Sequence, residues 1–194
     1  MSIFEDKIVK YTAAKSNDIK HFQVGYFTEK IDLVTSKYLS TFVFLFKEPE
    51  HKIFLHFNLP DIEDLQHIIA NTNHWTFLFK YEEEQGKLFF KKKNVYAVGY
   101  CEDIEQLTYI LKFLWNHCHE SFVILVLSKE IDNQSIKEVD GKKLALNYPV
   151  VISRGHDGYC VEIFSKELDS KNFANKLKSF NDKYGLTTVC SDYL

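Results

Sequence analysis

The chain has 194 residues, a formal net charge of −3, and 45% hydrophobic, 26% charged and 15% aromatic residues. So much aromatic area excludes an intrinsically disordered chain, and the charge balance lacks the basic excess of a general polyanion binder. Seven Gly and three Pro leave little material for long flexible linkers.

The first segment reads MSIFEDKIVKYTAAK. Ser2 with Glu5 has the form of a capping box. Phe4, Ile8 and Tyr11 follow at helical spacing, which predicts a helix from Ile3 to about Lys15. In IKHFQVGYF, the alternation of Phe22, Val24 and Tyr26 predicts a strand. Ile31, Val34 and Tyr38 share a helical face, but β-branched residues and a short span leave that region open. In TFVFLFK, Phe42, Phe44 and Phe46 alternate with Thr41, Val43 and Leu45, which predicts a strand covered on both faces. Pro49 suits a turn, and Ile53, Leu55 and Phe57 form the apolar side of a second strand. Pro60 fits a first helical turn, followed by Asp61, Glu63 and Asp64 near the positive end of the helix dipole. Ile62, Leu65, Ile68 and Ile69 complete the stripe of that expected helix.

The same parts recur downstream. Trp75, Phe77, Phe79 and Tyr81 alternate along a strand, EEEQG reads as a turn, KLFFKKK returns, and NVYAVGY adds a further strand. Asp103 with Gln106 forms a capping box ahead of a helix lined by Ile104, Leu107, Leu111 and Leu114, with Ile110 and Trp115 flanking. FVILVL (Phe122–Leu127) reads as a strand buried on both faces. A weaker third echo comprises VVISRGHDGYCVEIF, a hairpin turning at GHDG, and LDSKNFANKLKSFNDKY, a helix with Phe173, Leu177, Phe180 and Tyr184 on one face. Gly185 suits the helix stop, and LTTVC is a last short strand. The most polar connector, Ile131–Pro149, is the natural boundary between a larger part at 1–130 and a ββαβ unit at 146–194.

The expected fold is therefore α+β. A mostly antiparallel sheet is built from repeated β-hairpin-plus-helix units, with helices mainly on one face, as a single domain over 1–194 or as two lobes. The N-terminal segment lacks the pattern of a secretory signal, and FVILVL is too short to span a bilayer. Cys101, Cys118, Cys160 and Cys190 form no CxxC, so free thiols in a reducing cytoplasm and no membrane contact are expected.

Four groups of residues bear on chemistry. His117, Cys118 and His119 are metal-ligand types, but neighbours on a helix point about 100° apart, and histidines near a helix C-terminus interact with its dipole. Neither a metal nor a cofactor is expected. His51 and His56 lie an odd number of residues apart, on opposite strand faces, and read as two surface or half-buried histidines. Arg154, His156, Asp157 and Cys160 fall within RGHDGYC, where a cysteine nucleophile and a histidine base would meet across a hairpin. The alternative is an ordinary turn, since Asp157 and Gly158 suit positive φ. Lys87, Lys91, Lys92 and Lys93 interleave with Phe89 and Phe90 in the manner of a base-stacking strand. The alternative there is an edge strand defended by lysines, and the acidic run beside it would repel phosphate. No phosphate-binding, metalloprotease or nucleophile-elbow motif occurs.

Three functional classes follow. The first is a non-enzymatic protein-binding module, such as an immunity- or antitoxin-like inhibitor or an adaptor. Its expected contact residues are Tyr81, Glu82, Glu83 and Glu84, and its partner is another protein, for which a basic one would supply the complementary charge. The second is a nucleic-acid- or nucleotide-binding regulator using Lys91–Lys93, Phe89 and Phe90. The third is an enzyme centred on Cys160 and His156. The first is preferred, and nucleic acid is not the expected partner.

Overall fold

The structure is a computed structural model. It describes residues 8–16, 19–26, 39–59, 76–85, 93–116, 123–132, 138, 140–154, 160–184 and 187–190. Among the described residues, nine strands form one sheet: β1 (Ile8–Ser16), β2 (Ile19–Tyr26), β3 (Lys52–Leu59), β4 (Thr76–Gln85), β5 (Lys93–Cys101), β6 (Val123–Ser128), β7 (Val150–Arg154), β8 (Cys160–Ser165) and β9 (Thr187–Cys190). Four helical segments accompany them: α1 (residues 39–44), α2 (Ile104–Asn116), α3 (Gly141–Leu144) and α4 (Ser170–Tyr184). The strand order is β4-β5-β3-β6-β7-β8-β2-β1-β9. Every pairing is antiparallel except that of β1 with β9. The α+β class is thus established. The strands expected as a C-terminal unit are spread through the sheet, with β7 and β8 between β6 and β2, and β9 beside β1.

The period of two in the central strands builds two cores. On one face stand Phe22 and Val24, Ile53, Leu55 and Phe57, Leu125 and Leu127, Val150 and Ile152, and Val161 and Ile163, all buried. Register makes these residues cross-strand neighbours, with Phe22 opposite Ile163, Leu55 opposite Leu125, and Leu125 opposite Ile152. The other face carries Phe54, Val98, Ile124, Val126, Val151 and Phe164, also buried. The expectation that β6 is covered twice holds, since its odd and even residues enter different cores.

Helices α1, α2 and α4 close the first core. Leu39, Phe42, Val43 and Phe46 on and just after α1, Leu107, Ile110 and Leu111 on α2, and Phe173, Leu177 and Phe180 on α4 all belong to it. Aromatic rings set the contacts that α4 makes with β2 and with α1. Phe22 stacks on Phe173 at 4.1 Å, and Phe42 meets Phe180 edge-on at 5.6 Å. Each fully buried ring contributes roughly 1.5–3 kcal/mol. Lys176 Nζ donates to the Leu45 carbonyl just beyond α1, and Tyr184 hydrogen-bonds Thr41 across 3.2 Å.

The connector expected as a polar boundary covers the second core. Ile131, Leu144, Ala145 and Tyr148 are buried in it. Asp140 caps α3 by accepting from the N–H groups of Lys142 and Lys143. Gly141 lies so close to the sheet that a Cβ there would stand 3.1 Å from the Phe164 ring. The backbone N–H of Asp132 donates to Tyr148 Oη at 3.1 Å, tying the ends of the connector together. Ser165 joins both layers: its hydroxyl donates to the Pro149 carbonyl at 2.7 Å and accepts from the N–H groups of Glu167 and Leu168.

Several expectations are corrected. The expected helix from Ile3 to Lys15 is, over Ile8–Ser16, strand β1. It pairs antiparallel with β2, in a register that runs from Val9 opposite Tyr26 to Ser16 opposite Ile19. TFVFLFK is not a strand: residues 39–44 are helical, so Phe44–Ile69 does not open with a hairpin. An unbroken apolar run fits both periods, and the buried set 39, 42, 43 and 46 is the helical one. Ile104 is exposed, while Ile110, expected only to flank the stripe, is buried. The Asp103 cap is real, with the Gln106 N–H donating to its carboxylate at 2.8 Å. β4 and β5, and β7 and β8, are antiparallel neighbours followed in the chain by α2 and α4, while KLFF, the expected return strand of the second unit, lies outside the described residues. The expected capping box at Ser2–Glu5, the ambiguous span 28–38 and the helix after Pro60 lie outside the described residues, apart from the latter's preceding strand.

Candidate functional site

β4 is a terminal strand of the sheet and pairs with β5 alone among the described strands. The YEEEQ run, expected as strand end and turn, lies wholly within this strand. Its register is regular there: Glu82 faces Tyr96, Glu83 faces Val95, Glu84 faces Asn94 and Gln85 faces Lys93. Nearer the start of β4 the register shifts twice, between Phe77 and Phe79 and between Phe79 and Glu82. Such irregularities bend and twist a strand edge. Tyr81 falls within the second of them. The acidic run therefore occupies a regular, hydrogen-bonded segment of an edge strand, next to an irregular one. An edge strand presents backbone N–H and C=O groups on its outer side, where an extended peptide can add as another strand.

The other expected groups are only partly placed. Lys93 opens β5, opposite Gln85, and the pair Glu84–Asn94 is the next rung of the ladder. This puts the only described lysine of that group directly beside the acidic run. Lys87, Phe89, Phe90, Lys91 and Lys92 lie outside the described residues. Arg154 ends β7 and Cys160 begins β8; their backbones pair with Val161 and Gly25 respectively. His156 and Asp157, between those strands, lie outside the described residues, as do His117, Cys118 and His119.

The two histidines of the β3 region are both buried, correcting the expectation of surface or half-buried positions. His51 precedes β3. His56 lies within it, fully buried, facing Val98 and Ile124 across the neighbouring strands. Burial pulls the His56 imidazole down to about 4, so it is neutral at physiological pH. Cys101 is a buried free thiol. Burial, reinforced by the Asp103 and Glu102 carboxylates, pushes it up to about 12, which removes it as a nucleophile.

One polar arrangement was not foreseen. Register aligns His56, Ile124, Ser153, Glu162 and Gln23 across β3, β6, β7, β8 and β2 on the second face. Beside this row, His21 Nε2 stands 3.6 Å from Glu162 Oε1, an ion pair when the imidazole is protonated, and its ring stacks on Phe164 at 4.4 Å. The alternation of His21 and Gln23 against Phe22 and Val24 was visible in the β2 sequence. Their meeting with Glu162 depends on β8 pairing with β2, which no local pattern specifies. Among the described residues, no group of three or more His, Cys, Asp or Glu is arranged to hold a metal ion. No helix among them is long and apolar enough to cross a membrane.

No protein-family model, curated protein or solved structure matches the chain.

Proposed function

We propose that this chain acts by stoichiometric binding to another protein, as an inhibitor or adaptor, and that the outer edge of β4 around Tyr81, Glu82, Glu83 and Glu84 is its contact. The observation that supports this reading is the position of the acidic run on a terminal strand of the sheet. An open edge supplies main-chain hydrogen bonds to an added strand, and these carry affinity without sequence preference. Three successive carboxylates then supply the preference. They favour a basic extended segment and oppose the pairing of two copies of the chain through the same edge. The buried, protonated Cys101 thiol offers no competing chemistry among the described residues. A single α+β domain in the cytoplasm is the setting this reading assumes.

The test is affinity capture from the native cytoplasm with quantitative mass spectrometry. Wild type is compared with a variant carrying Glu82→Lys, Glu83→Lys and Glu84→Lys. The expected result is a basic protein retained by wild type, lost from the variant, and released progressively as salt rises. A second variant, Cys160→Ser with His156→Ala, should retain the same partner. Identical capture by wild type and the charge-reversed variant would refute the edge as the contact. Loss of a measured activity in the Cys160 and His156 variant, with the fold intact, would instead mark the hairpin as the working part.

A further inference from the structure

We draw no further inference here: the strongest candidate, the side-chain cluster of His21, Gln23, Ser153 and Glu162 on the second face of the sheet, has His21 Nε2 3.6 Å from Glu162 Oε1 and lies where nothing in the structure shows what ligand would meet it.

Discussion

His56 should make the stability of this protein depend on pH. Its imidazole lies fully buried at the middle of β3, with Val98 and Ile124 as its cross-strand neighbours. Desolvation lowers its pKa from 6.5 to about 4. In the unfolded chain the same ring takes up a proton below about 6.5. Between these values the unfolded state binds one more proton than the native state, so stability falls as pH falls. The contribution is fully present above pH 6.5 and is lost as pH drops toward 4. The limiting slope is about 1.4 kcal/mol per pH unit, and the whole window amounts to roughly 3 kcal/mol. A His56→Leu variant removes the titration while keeping an apolar side chain of similar size. Urea denaturation of both proteins, followed by fluorescence at intervals from pH 4 to 7.5, isolates the effect. Subtraction cancels the carboxylates and the other histidines common to both. The difference in unfolding free energy should shift by roughly 3 kcal/mol across the window, with wild type losing relative stability in acid. A difference that stays flat from pH 7.5 to 4 would refute the reasoning, because it would mean that the buried ring accepts its proton as readily as an exposed one.

Other outcomes follow from particular contacts. Ser165→Ala removes the acceptor of two N–H groups and the donor to Pro149, and should destabilise by about 1–3 kcal/mol in urea melts. Phe173→Ala should cost about 3–5 kcal/mol, and a double-mutant cycle with Phe22→Ala should show a coupling of about 1 kcal/mol from their stacked rings. Anisotropy titration with single-stranded RNA or DNA at physiological salt should show no sub-micromolar binding; a tight, steeply salt-dependent affinity would redirect attention to Lys91–Lys93 with Phe89 and Phe90.

The candidate contact was legible as a residue group, but its structural setting was not. Tyr81 and the three glutamates stand out by composition alone. Their sequence reads as a turn because glutamate is a poor strand former. In the structure they form part of β4, and only the strand order makes that strand an edge among the described strands. Edge strands tolerate charges that a central strand cannot, so tertiary position overrides local propensity. The buried histidine went unrecognised for a related reason. His56 alternates correctly with Leu55 and Phe57, but only β6 on one side and β5 on the other, with the connector covering the second core, take its face out of water.

Strong local periodicity carried much of the rest. α4 is specified by Phe173, Leu177 and Phe180 at helical spacing behind the Asp169 cap, whose carboxylate accepts from the Asn172 N–H at 2.8 Å. β2, β3, β6 and the hairpin of β7 and β8 are equally legible, because their alternation or continuous apolarity has few other solutions. Tertiary structure decided the cases in which one sequence satisfies two periods. Residues 41–46 alternate as a strand would, yet Leu39, Phe42, Val43 and Phe46 also fall on one helical face, and that face is covered by α4. IVKYTAAKS shows helical spacing, yet β2 and β9 offer it ladder partners on both sides. Local sequence sets which backbone periods are compatible with burial. The choice between compatible periods rests with partners far along the chain, because the free energy of burial is realised only once the opposing surface is in place.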